Sequence, residues 1–262
     1  QRPLASPEGP PVDVVPPPPG AVDKPHVVLV VVCTLRRDQL SVYGAPSQVS
    51  PFVGGLGAQG AVFEDAWSSA PWTKAASTAI MTGHHAIQLG MIEPESRSNH
   101  RLLADEVVTL AERFDDAGYY TLGLTANPNT NAVFGFGQGF DDYIEATGLW
   151  REAMDKVSGR RVTALALEAL DARQDTEAPV YLRMMILDPH EPIKVSSGGA
   201  SDFASDGVPR RIARYRAMVH RSDTAIADLW RGLGERGLDA TNTILAVISD
   251  HGEGLQFPPS HG

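Results

Sequence analysis

Three apolar runs in this chain end in side chains that can bind a metal or move a proton. Residues 27–32 lead into Cys33-Thr34. Residues 180–187 lead into Asp188-Pro189-His190. Residues 243–248 lead into Ser249-Asp250-His251-Gly252. A carboxylate oxygen beside an imidazole nitrogen suits a divalent ion, and the imidazole can also accept a proton. A lone Asp-His pair is more commonly a turn or a helix cap. Several such pairs placed alike suggest a shared task.

The runs themselves explain how these residues could meet. The continuous Val/Ile/Leu/Met stretches at 27–32, 180–187 and 243–248 suit strands buried on both faces of a parallel sheet. A weaker run, 119–125, ends at Ala126-Asn127-Pro128. Apolar residues at helical spacing fall at 103–117, 162–170 and 215–233, with Gly234 or Gly237 placed to end the last. Strands alternating with helices predict an α/β sheet with helices on both faces. In open α/β sheets the carboxyl ends of the strands share one rim, where ligands bind. Residues far apart in sequence are thus expected to converge there.

Composition narrows the function classes. The chain has 262 residues, 42% hydrophobic and 21% charged, which suits a globular domain and excludes a disordered or collagen-like chain. The formal net charge is −10 and no long Lys/Arg run occurs, so nucleic acid and anionic membranes are poor partners. No apolar run approaches the roughly 20 residues of a membrane span. Cys33 is the one cysteine, which excludes an intrachain disulfide. Nine of the 20 prolines lie within residues 1–25, so this stretch reads as an extended Pro-rich tether before a domain spanning 26–262.

Taken in order, the residues resemble the sulfatases of the alkaline phosphatase superfamily. His26 to Asp38, with Cys33-Thr34-Leu35-Arg36 after the strand, resembles the family's opening "NVVLIVVDTLRAD". Ala70-Pro71-Trp72-Thr73 through Met81-Thr82-Gly83 resembles "APWTLPSRASLLTG". Phe134 to Asp141 resembles "FGFDQGFD". Asp188 to Pro192 resembles "DPHEPY", Ser249 to Glu253 the "SDHGE" segment, and Ser260-His261-Gly262 a downstream "GHG". Shared order and spacing carry the resemblance from about residue 26 to the last residue.

The resemblance implies a mixed sheet sandwiched between helices, with further C-terminal strands and a smaller subdomain beyond the part matched here. It also implies a metal-dependent hydrolase of sulfate or phosphate esters, taking a small anionic ester; with the Pro-rich stretch read as a spacer after a cleaved signal or lipid anchor, the chain is expected to be exported to the periplasm or outside. Thr73 falls at the position of the attacking nucleophile, at a helix start, where the alternative is a simple N-cap. Asp250 and His251 match late metal ligands. His190 matches a residue that contacts the ester oxygens, and His261 a second such contact or ligand. Lys74 stands near the missing cations of the family motif, as a replacement or as a solvated side chain.

Two departures matter. The segment Thr73-Lys74-Ala75-Ala76-Ser77 lacks the Cys, Pro, Ser and Arg of the formylglycine motif. Threonine cannot be converted to formylglycine, so the resemblance is to the threonine-nucleophile branches, which include phosphodiesterases and phosphoryl transferases. Cys33 stands where the family has its first aspartate ligand. The expected cofactor is a divalent ion (Ca, Mg, Mn or Zn), and zinc suits a thiolate best. A catalytically impaired homologue that only binds anions is the alternative from another class.

Overall fold

The computed structural model describes residues 22–91, 102–147, 157–175, 177–191, 197–204 and 207–255. In chain order the main elements are β1 (His26–Val32), α1 (Pro51–Gln59), α2 (Thr73–Thr82), α3 (Leu110–Asp116), β2 (Tyr120–Thr125), β3 (Asp142–Glu145), α4 (Gly159–Ala172), β4 (Val180–Ile186), α5 (Ser197–Ser201), α6 (Arg210–Gly234) and β5 (Thr243–Ser249). The strands form one sheet in the order β3-β2-β4-β1-β5, and every pairing among them is parallel. This is the α/β sheet with flanking helices that the alternating pattern predicts.

The apolar runs form strands because both faces are covered. All seven residues of β4 are buried, as are Val28 and Val30 to Val32 of β1. Each aliphatic or methionine side chain among them contributes about 1.5–3 kcal/mol relative to exposure. On one face, Val162, Ala166 and Leu170 of α4 and Ile226, Leu229 and Leu233 of α6 share a buried cluster with Leu182 and Met184. Alternation turns Tyr181 to the other face. There its ring stacks on Phe114 of α3 at 4.2 Å, and Met81 of α2 packs with Phe136, Phe140 and Tyr143. β5 is at the sheet edge, and Ile244 on it is 54% exposed.

Two elements differ from the sequence pattern. The apolar spacing at 103–117 predicts one helix, but the helix begins only at Leu110. Thr109 stops it: its hydroxyl accepts from Glu112 N at 3.1 Å, and the Glu112 carboxylate accepts from Thr109 N at 2.7 Å. The glycine-rich α1 has little helix propensity of its own. The Asp223 carboxylate of α6 accepts from Phe52 N at 3.0 Å and Val53 N at 2.8 Å, capping α1 from across the fold. Among the described residues no helix is long and apolar enough to cross a membrane.

Candidate functional site

The carboxyl ends of β1, β2 and β5 and the start of α2 meet at one place on the rim. Parallel register sets Val32 beside Ser249 and Ile186, so the residues that follow each strand emerge together. Cross-links then fix the loops. Leu35 N donates to Ser249 Oγ at 3.0 Å, and Ser249 Oγ donates to the His251 carbonyl at 2.7 Å. Arg36 Nη1 donates to the Glu253 carbonyl at 3.0 Å. Ser68, in the loop before α2, donates to the Asp250 carbonyl.

Thr34 shows that this corner is held under strain. It is β-branched yet has φ of 60°, a conformation that costs free energy and persists only where the surroundings impose it. Its amide donates to Asp250 Oδ1 at 2.9 Å, and its carbonyl accepts from the Tyr215 hydroxyl at 2.6 Å. The strained turn thereby aims Cys33 and Asp250 at the same point.

Cys33, Asp250 and His251 bring a sulfur, a carboxylate oxygen and a ring nitrogen within 4.8 Å of one another, and all three residues are buried. Asp250 Oδ1 accepts from Thr34 N and from His251 N. Its other oxygen, Oδ2, is buried with no hydrogen-bond partner among the described residues, 3.6 Å from His251 Nε2. The tautomer of His251 is fixed by a carbonyl: Nδ1 lies 2.8 Å from the Gly252 oxygen and must donate to it. In the neutral ring Nε2 then carries the lone pair. An orphaned anionic oxygen, an imidazole lone pair and a thiol suit a cation that draws on sulfur, nitrogen and oxygen together. Burial, and next the charge of Asp250, push the Cys33 thiol well above its usual pKa, so without a cation it stays protonated.

Thr73 is the first residue of α2. The N-cap position belongs to Trp72, so capping is not the work of the threonine. Thr73 Oγ1 lies 3.2 Å from His251 Nε2 and 3.5 Å from Cys33 Sγ. It also accepts from Asn127 Nδ2 at 3.2 Å. With Nε2 as acceptor, the threonine hydroxyl donates to the histidine. The group is nearly sealed, with Thr73 4% and His251 5% exposed.

Asn127 is the member that the sequence pattern did not single out. It is fully buried at the end of β2. Its Oδ1 accepts from Asn129 N at 3.0 Å, which turns the amide nitrogen toward Thr73 and, at 3.5 Å, toward Cys33. Its position after a strand, like the other three rim segments, was the available signal. Lys74 is not a solvated side chain: it is 4% exposed, with Nζ 4.0 Å from the centre of the Phe134 ring. His190 is partly exposed, and its Nδ1 donates to the Glu191 carbonyl at 2.5 Å. Asp188 turns away to accept from Gly159 N at the start of α4, at 2.8 Å. His261 lies outside the described residues.

The sequence model of the Sulfatase family matches residues 25–261. The chain belongs to the sulfatase family. An arylsulfatase from Hemicentrotus pulcherrimus is 30% identical over 89% of this chain and 48% of its own length. The human N-acetylgalactosamine-6-sulfatase is 24% identical over 93% of the chain and 53% of its own. Among solved structures, the C-terminal periplasmic domain of EcEptC from Escherichia coli in complex with Zn superposes with a TM-score of 0.65 at 20% identity, covering 92% of this chain and 67% of that one. The chain spans about half the length of the curated relatives it matches. Its sheet and flanking helices are the sulfatase fold of the alkaline phosphatase superfamily.

Proposed function

We propose that this sulfatase-family chain carries the core of a metal-dependent site for hydrolysing small sulfate esters, with Thr73 as nucleophile. The observation that carries the reading is the contact of one hydroxyl, at a helix start, with two members of a buried S/O/N donor group. Names of the matched relatives, an arylsulfatase and an N-acetylgalactosamine-6-sulfatase, support sulfate esters as the substrate class.

Cys33, Asp250 and His251 would hold the ion, and a bound divalent cation would supply Lewis acidity and lower the pKa of a hydroxyl beside it. The chain's own residues do the rest. Gly252 fixes His251 in the tautomer whose Nε2 lone pair is available to the ion, and this sets the Thr73 hydroxyl directly beside that ion's place. Asn127 donates to the oxygen that becomes negative, and its amide is fixed before any reaction starts. The N-terminus of α2, at its partly positive end, lies near the developing anion. His190 and Lys74 are proposed contacts for the ester oxygens, and His261 with them. Thiolate ligation by Cys33 favours zinc over calcium or magnesium; a zinc-bound protein of the same fold is in keeping with that choice.

The test is a turnover screen on the zinc-loaded chain, with aryl sulfate, phosphate monoester and phosphodiester compared. Preference for the sulfate supports this reading. Preference for a phosphodiester would move the chain to phosphoryl transfer. Tight anion binding without turnover on any ester would make it a binding homologue.

A further inference from the structure

Arg183 occupies the middle of β4, level with Leu29 on one neighbouring strand and Gly123 on the other. It is fully buried. Alternation puts it on the face of Tyr181, against the layer of Met81, Phe136, Phe140 and Tyr143. Gly123 makes room there: a Cβ at that position would come within 2.4 Å of the Tyr143 ring. Arg183 is roughly 13 Å from Cys33 along the sheet, at about 3.3 Å per residue, so it lies apart from the site above.

A guanidinium keeps its charge and presents five N–H donors in a rigid fork. Burying such a charge is tolerated when it is paired and hydrogen-bonded. Yet Nε, Nη1 and Nη2 of Arg183 all lack a hydrogen-bond partner among the described residues. Its nearest polar contact, the Tyr143 hydroxyl oxygen, is neutral and cannot balance the charge. Burial pushes the Tyr143 and Tyr181 hydroxyls up to about 12, with Arg183 pulling against that, so both stay neutral at ordinary pH. The Tyr143 proton goes to the Thr130 carbonyl at 2.5 Å. The next residue, Asn131, is also fully buried with both ends of its amide unpartnered.

We infer that Arg183 holds a small inorganic monoanion, of the size and charge of chloride, between the sheet and the aromatic layer. Full enclosure favours a compact ion over a peptide carboxylate. A sphere can accept from several arms of the fork at once, which a neutral partner cannot match in charge. The ion's role is structural: it neutralises the core and locks β4 against β2 and β3.

The full chain is melted in sodium chloride, bromide and gluconate at equal ionic strength, as wild type and as Arg183→Met. The wild type is expected to gain a saturable few degrees, about 2–4 °C, in chloride or bromide over gluconate, and the variant none. An equal response in both proteins, or none in the wild type, overturns the inference. Should Arg183→Met fail to fold, anomalous diffraction from wild-type crystals grown in bromide decides. A bromide peak against the guanidinium supports the site. Water alone, or a carboxylate of the chain, on those nitrogens overturns it.

Discussion

The hydroxyl of Thr73 lies 3.2 Å from Nε2 of His251, although 178 residues separate them in sequence. The contact exists because α2 starts, and β5 ends, on the same rim of a parallel sheet. It sets the threonine hydroxyl against the nitrogen that would ligate the ion, where a bound cation would lower its pKa and favour the proposed attack. Thr73→Ala is therefore expected to lower ester turnover by at least about 10³-fold, with the melting temperature little changed. Thr73→Ser, which keeps the oxygen, should retain part of the activity. Steady-state kinetics on both variants checks this, and full turnover in Thr73→Ala would remove the residue from the mechanism.

As a proposed ligand, Cys33 would set which metal is preferred. Burial and the Asp250 charge hold its thiol protonated until a cation arrives, and a soft ion displaces that proton most readily. Cys33→Asp replaces sulfur by a hard, anionic oxygen donor. The variant should bind Mg²⁺ or Ca²⁺ more tightly and Zn²⁺ less selectively than the wild type. Competition titrations of the three ions report this directly, and an unchanged order of affinities would mean that Cys33 is not a ligand.

Two of the three strongest apolar runs end in residues that meet at the rim, Cys33 and Asp250-His251, whereas the third ends in Asp188, which accepts from Gly159 N instead. The roles expected of Cys33, Asp250, His251 and Thr73 came from the resemblance to the family motifs. Asn127 was hidden for a physical reason: an amide has no titrating or metal-binding signature, and its strand, interrupted by Gly123, is the weakest of the runs. Lys74 was legible as a cation but not as a buried one, since its burial depends on Phe134 folding over α2 from sixty residues away. α1 was illegible because its N-terminal cap is supplied by Asp223, from α6.

That cap carries a stability prediction. Asp223→Ala leaves the Phe52 and Val53 amides without their acceptors at a partly buried helix start. The expected loss is about 1–3 kcal/mol, read as a lower midpoint in urea. Asp223→Asn, which keeps one oxygen, should lose less. A midpoint unchanged in Asp223→Ala would mean that α1 is held by packing alone.

His26 sets a pH dependence. Its Nδ1 accepts from Val180 N at 3.0 Å and must be unprotonated to do so. Burial, and next the charge of Arg173, hold its folded pKa below the ordinary 6.5. The unfolded chain thus binds the proton more readily, and stability rises with pH across this window. The contribution is fully present above pH 6.5 and is lost as pH falls through the lower folded value. His26→Asn should flatten that part of the stability profile between neutral pH and pH 5, measured by melting at each pH. A wild-type slope retained in the variant would assign it to other groups.

Cys33, Asp250 and His251 are proposed to hold one divalent ion beside Thr73. Cobalt(II) tests this most directly, because a thiolate ligand gives a charge-transfer band in the near ultraviolet that oxygen and nitrogen ligands do not. Cobalt-loaded wild-type chain should show this band at one ion per chain. Cys33→Ser should lose the band, and Asp250→Asn and His251→Gln should lose stoichiometric binding. Absence of the band in the wild type, or full cobalt occupancy in all three variants, would contradict the account.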